Sequence, residues 1–194
     1  MEEKGSQGLP FCIWALAILF SQGGGVKIGS DREAIACLQT PFGWMRLAAR
    51  QGRLIGIDLS FCHAWQVMGE QHSDPVLEAA VTQLRAYFED ARSPFALPLA
   101  RVGTPFQQRI WSAVAQIPRG QTESYASIAE TSGSGPRAVA AACKANPYPI
   151  LVPCHRVLAS NGLGGYCGER EGPMMEIKRW LLLHEGYVQA GTGW

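Results

Sequence analysis

A short apolar run held between two prolines constrains this chain more than any other stretch. Pro149 and Pro153 bracket Ile150-Leu151-Val152, and the second proline is followed at once by Cys154, His155, Arg156 and Val157. Proline fixes φ and cannot donate to a sheet ladder, so the pair stiffens the segment and presents the cysteine after it in one place. The β-prone residues between the prolines predict an extended run. A cysteine amid apolar residues is ordinarily a small core hydrophobe. With an imidazole beside it to generate the thiolate, Cys154 is instead a candidate nucleophile.

The 194 residues suffice for one large or two small domains with a real core. A hydrophobic content of 47% with 17% charged residues describes a globular chain, not a disordered one. The net charge of +1 hides an uneven distribution. Residues 1–100 hold eight Lys/Arg against ten Asp/Glu, whereas residues 101–144 hold five (Arg101, Arg109, Arg119, Arg137, Lys144) against two. A mildly basic middle permits a polyanionic partner but does not by itself argue for one.

The six cysteines (Cys12, Cys37, Cys62, Cys143, Cys154, Cys167) include no C-x-x-C pair, so zinc-finger spacing is missing. A disulfide framework is not expected in a chain of this size without a secretion signal. Residues 11–20 are ten apolar residues in a row, too short to span a bilayer. Glu2, Glu3 and Lys4 ahead of them have the wrong net sign for a signal peptide. Residues 1–30 therefore read as a buried or poorly specified N-terminal segment, and the chain as a cytoplasmic protein with no membrane partner.

Beyond the Gly23-Gly24-Gly25 break, residues 35–60 read as short β elements: a turn at Thr40-Pro41-Phe42-Gly43, a strand over 44–49, a tight turn at Arg50-Gln51-Gly52 and a strand over 54–59. Residues 60–74 show no period, and the adjacent Cys62 and His63 there lack any stiff flank. Asp74-Pro75 opens a helix whose apolar stripe is Leu77, Val81, Leu84 and Phe88. A proline-punctuated linker over 93–98 sets a domain boundary near Ala100.

The second half has three helix signals in close order. Thr104-Pro105-Phe106-Gln107 is a capping box leading into Phe106, Ile110, Trp111, Val114 and Ile117. A short helix follows over 124–130, then a tight Ser132-Gly133-Ser134-Gly135-Pro136 turn and a thin Ala-rich helix over 137–145. Two short helices joined by a Gly turn, the second basic, are the pattern of a helix-turn-helix, though many αα-hairpins share it and bind nothing. A last helix from about Pro173 turns Ile177, Trp180 and Leu181 inward and ends at His184-Glu185-Gly186.

These residues together resemble the O6-alkylguanine-DNA alkyltransferases. The resemblance rests on Gly103-Thr104-Pro105-Phe106-Gln107, on Tyr125 in SYASIA, on Arg137-Ala138-Val139 with Asn146-Pro147-Tyr148-Pro149, on Pro153-Cys154-His155-Arg156-Val157, and on Trp180 to Gly186. It runs from 103 to 187 and is weaker before that. It implies an α/β (α+β) two-domain chain: a small ribonuclease-H-like domain over 31–100, then a helical winged-helix-like domain over 101–194. It implies irreversible, cofactor-free transfer of an alkyl group from O6 of guanine in duplex DNA to Cys154, once per molecule, by a monomer.

The resemblance also assigns roles. Glu185 orients His155, which reaches Cys154 through a water. In an extended strand the two neighbours would point to opposite faces, which agrees with a relay rather than a direct contact. Tyr125 supplies the proton to the leaving guanine, and Asn146 braces the turn before the cysteine. The helix-turn-helix enters the minor groove, where an Ala-rich helix with Ala138 is slim enough to fit. Arg137 fills the space of the flipped base, Lys144 meets phosphate, and Val157, Tyr166 and Pro149 line the alkyl pocket. Cys167 stands where the family has a small residue and is a second potential acceptor. No spacing among Cys12, Cys37, Cys62, His63 and His72 supports the structural zinc of some relatives.

Two other readings stay open at this level. One is a lesion-binding protein that removes nothing; the other is a cysteine hydrolase built on Cys154, His155 and Glu185, which would need an oxyanion hole and turnover.

Overall fold

The computed structural model of the chain describes residues 33–59 and 74–188. The expectations for residues 1–30, for Cys12, for the Cys62-His63 pair and for His72 lie outside these.

Short, largely apolar runs separated by two tight turns make the first unit a three-stranded antiparallel sheet, in the order β1 (Ala34–Thr40), β2 (Gly43–Arg50), β3 (Arg53–Asp58). The β2–β3 connection is a two-residue turn with Gln51 at φ 52° and Gly52 at φ 69°, the left-handed pair that matches the twist of a hairpin. Helix α1 (Pro75–Glu89) packs on this sheet. Asp74 caps it, its side chain accepting from Val76 N at 2.8 Å, with proline in the first turn. Its buried stripe is Leu77, Ala80, Val81, Leu84 and Tyr87, while Phe88, expected inward, is only half buried. The stripe therefore leans one residue from the expected line, and that brings a tyrosine hydroxyl into the interior.

The second unit is helical. Helix α2 (Pro105–Ala115) starts at the expected capping box, with both reciprocal bonds made. Strand β4 (Glu123–Ser124) precedes helix α3 (Tyr125–Ser132), for which Ser124 is the cap and not the first helical residue. Gly133, at φ 62°, ends α3 in the left-handed conformation, and Ser134 N bonds back to Ala129 O at 2.8 Å. Helix α4 (Pro136–Lys144) follows after that tight turn. The buried indole of Trp111 donates to Ala142 O at 2.8 Å and locks α4 against α2. A second, two-stranded parallel sheet pairs β4 with β5 (Val157–Leu158), and helix α5 (Pro173–His184) closes the chain.

The two units share one continuous hydrophobic core, from Leu38 and Leu47 of the sheet through Ile110 and Val114 to Ile177 and Leu181. Polar bonds cross the junction as well. Ile57 N donates to Pro147 O at 2.8 Å, so the open edge of β3 holds the turn before the cysteine. The Tyr148 hydroxyl bonds Ala100 O at 2.7 Å and Leu54 O at 3.1 Å. No helix among the described residues is long and apolar enough to cross a membrane.

Candidate active site

Asn146 builds the turn that delivers the cysteine. Its Oδ1 accepts from Tyr148 N at 3.0 Å, and its Nδ2 donates to Val152 O at 2.9 Å and to Cys154 Sγ at 3.4 Å. Pro153, at φ −80° and ψ 62°, sits in an inverse γ-turn closed by Cys154 N to Val152 O at 2.8 Å. Cys154–Arg156 then forms a single 3-10 turn.

This corrects the extended run expected over 150–152. Ile150 adopts φ 75°, a left-handed conformation that a β-branched residue holds only when its surroundings over-determine it. Three apolar residues in a row cannot distinguish a strand from a buried turn, and the Asn146 bonds decide for the turn. Cys154 and His155 lie in the 3-10 turn, so they do not face opposite sides of a strand.

His155 and Glu185 come together as expected, with His155 Nε2 3.0 Å from Glu185 Oε1 and both side chains almost wholly buried. Arg156 grips the same carboxylate with two prongs, Nε to Oε2 at 2.7 Å and Nη2 to Oε1 at 2.8 Å, and anchors itself on Ile117 O. The Tyr87 hydroxyl donates to Oε1 at 2.8 Å. Burial alone would raise the Glu185 pKa, but the bonds from His155 and Arg156 outweigh it and hold the carboxyl well below the usual range.

An ionised Glu185 can only accept, so His155 must carry its proton on Nε2. Burial keeps the ring neutral by lowering its pKa, against the pull of Glu185. The Nδ1 lone pair is then free, and that atom is buried with no hydrogen-bond partner among the described residues. The result is a fixed tautomer with a basic nitrogen available.

Cys154 is only 4% exposed, and its burial raises the thiol pKa, opposed by the Asn146 amide and by Lys178. Lys178 is fully buried on α5. Its ammonium spends all three donors on the active-site loop, at 2.7 Å to Val157 O, 2.7 Å to Leu163 O and 3.0 Å to Gly165 O. Burial lowers its pKa to about 8.

A cavity of about 1330 Å³ opens over Cys154 between α4, Tyr125 and the loop over 159–170. Arg137, Ala140, Ala141 and Lys144, spaced three and four apart, are the exposed face of α4 and one wall of this cavity. Ala138 is half buried, off that wall. Tyr125 and Tyr166 contribute to the wall, and Tyr125 Oη donates to Gly165 O at 3.1 Å. Burial holds the Tyr125 phenol above its ordinary pKa, so it stays protonated. Val157 and Pro149 are buried behind the wall rather than on it, Val157 because β5 turns it into the core. Cys167 lies on the wall with Cys143, and burial pushes both thiols up to about 12. Among the described residues no group of three or more His, Cys, Asp or Glu could hold a metal.

Sequence reasoning passed over Tyr87, the carboxylate-binding role of Arg156, and Lys178. Lys178 had a signal: it falls on the buried stripe of α5 with Met174, Ile177 and Leu181, where a lysine must find partners. Tyr87 and Arg156 had none, because their partner is distant in sequence.

Comparison with known proteins identifies the family. The pattern described as 6-O-methylguanine DNA methyltransferase, ribonuclease-like domain, matches residues 35–101. That of the same family's DNA binding domain matches residues 105–187. The chain is 42% identical over 153 residues to the constitutive methylated-DNA–protein-cysteine methyltransferase of Bacillus subtilis, covering 74% of this chain and 90% of that one. It is 34% identical over 148 residues to the enzyme of that name from Metallosphaera sedula, covering 76% and 89%. The crystal structure of the Mycobacterium tuberculosis O6-methylguanine methyltransferase superposes with a TM-score of 0.66 at 33% identity, covering 82% of this chain and 97% of that one. The OGT of the same organism in complex with DNA superposes with a TM-score of 0.63 at 36% identity, covering 78% and 91%. The chain therefore belongs to the 6-O-methylguanine DNA methyltransferase family, the methylated-DNA–protein-cysteine methyltransferases.

Proposed function

We propose that the chain repairs DNA by direct reversal, with Cys154 as the acceptor of the alkyl group from O6-alkylguanine. One observation supports this site above all: a neutral His155, its tautomer fixed by Glu185 and its Nδ1 unpartnered, directly follows a thiol that burial keeps protonated at rest. A protonated thiol needs a base at the moment of attack, and a water between Nδ1 and Sγ provides the path.

The step balances without a cofactor. Sulfur forms a bond to the alkyl carbon, the carbon–O6 bond breaks, and its electron pair goes to guanine. The thiol proton leaves through the water to His155. Tyr125, still protonated and donating to Gly165 O at the cavity wall, turns that proton to the departing base, and the proton taken up by His155 restores the phenol through solvent. Asn146 holds Sγ in line, and Lys178 fixes the loop that covers the base. The thioether cannot be displaced in turn, so each molecule acts once, as a monomer.

A guanine inside a duplex must leave the stack to reach a cavity of this depth. The α4 face suits the minor groove: two small alanines allow close approach, with Arg137 at one end to replace the extruded base and Lys144 at the other for phosphate. Ala138 supports that face from behind, while Tyr166, with Val157 and Pro149 behind it, bounds the alkyl group. A chemistry that depends on a reduced thiol fits the cytoplasm.

The test is intact and peptide mass after incubation with a duplex containing one O6-methylguanine. The peptide with Cys154 should gain one methylene, and Cys154→Ala should gain nothing. Binding with no mass gain would make the protein a lesion sensor, and gain at Cys167 would overturn the site.

A further inference from the structure

We infer that Tyr87, from the N-terminal half of the chain, is a positioning residue for alkyl transfer, acting through the Glu185–His155 pair. The inference rests on the reading of His155 as the base for Cys154.

Tyr87 is fully buried near the end of α1, more than ninety residues before its partner. Its hydroxyl donates at 2.8 Å to Glu185 Oε1, the same oxygen that His155 Nε2 meets at 3.0 Å. The geometry around it is fixed from several sides. The ring lies edge-on to Phe88 and His184 and tilted against Phe95. His184 Nε2 contacts the Tyr87 carbonyl, and Arg119 bonds Arg92 O and Ser93 O just beyond the helix. Nothing in packing requires a hydroxyl there; phenylalanine would fill the same space.

The hydroxyl acts through the oxygen it shares with His155. Charge on Oε1 favours an imidazolium at His155, because an adjacent anion stabilises the protonated ring. A hydrogen bond donated to Oε1 by a neutral phenol disperses that charge without adding a proton to the histidine. Arg156 does the same from the other side. Tyr87 thus helps keep His155 a free base and fixes the rotation of the carboxylate that selects its tautomer. The groups facing this pair are Tyr87 from α1, Arg119 after α2, Arg156 in the 3-10 turn, Tyr166 with its ring 6.5 Å from His155, and Lys178 and His184 from α5. None of the others donates to Oε1 besides Arg156 and His155 itself.

The experiment is the pH dependence of single-turnover methyl transfer from the O6-methylguanine duplex to full-length protein, for native chain and Tyr87→Phe. In parallel, the ionisation of His155 is followed by NMR of ring-labelled histidine. Removing the hydroxyl leaves more charge on Oε1. The acid limb of the rate profile and the His155 titration should both move to higher pH, by roughly half a unit to one unit. The melting temperature should change little. Site-specific fluorotyrosine at 87, a stronger donor, should move both the other way. Limbs and titrations that coincide in all three proteins overturn the inference, even where the rate or the stability has fallen. If native protein shows no methyl on Cys154, the proposed function fails, yet the His155 titration still decides whether Tyr87 controls that ring.

Discussion

Glu185 is held by three side chains at once, its two oxygens accepting from Tyr87, His155 and Arg156. Glu185→Gln would leave Arg156 a buried cation without its counterion. We expect a loss of about 3–5 kcal/mol in stability. Methyl transfer should slow by roughly 10²-fold or more, because His155 loses its fixed tautomer. Chemical denaturation and single-turnover kinetics measure the two. The pH dependence has a definite sign. The folded carboxyl lies below its ordinary value of 4.5, so the unfolded chain binds the proton more readily. The stabilisation is therefore complete above that value and is lost as pH falls toward the folded one. The native denaturation midpoint should drop below pH 4.5, and the Gln variant should show a shallower decline.

At the level of elements, the loop between β5 and α5 is shaped by close approach. Gly164 sits at φ 70°, and a Cβ there would lie 3.1 Å from the Tyr125 ring and 3.1 Å from Ala159 N. Gly164→Ala should displace Tyr125 from the cavity wall, cost about 1–3 kcal/mol, and slow transfer more than it weakens DNA binding. Gel-shift titration beside kinetics separates the two effects. The elements also show which parts of the fold were legible. Start signals placed the beginnings of α1, α2 and α5 almost to the residue, since Asp74, the Thr104 box and proline in the first turn act locally. The Gly133 stop was legible for the same reason. The turn over 146–156 was not, because Asn146 and the β3 edge shape it and a run of Ile, Leu and Val has no signature of its own. Likewise the pairing of β4 with β5 joins residues over thirty apart, and two-residue strands have no period.

For the whole molecule, two of the five cations in the basic middle share one surface, while Arg119 is spent on Arg92 O and Ser93 O. Arg137 and Lys144 stand at the two ends of the exposed α4 face. Lys144→Ala should weaken binding to lesion and plain duplex alike, and reduce the slope of log K against log salt by about 1. Arg137→Ala should instead reduce the preference for the lesion duplex. Fluorescence anisotropy across a salt series checks both. The continuous core that joins sheet and helices has a further consequence, for inheritance. The half with the cysteine is bound to its neighbour through Leu54, Ile57, Tyr87 and Tyr148, so a copy moved alone into another gene would carry these contacts as an uncovered seam. Recombination has to move both halves together or rebuild the missing side.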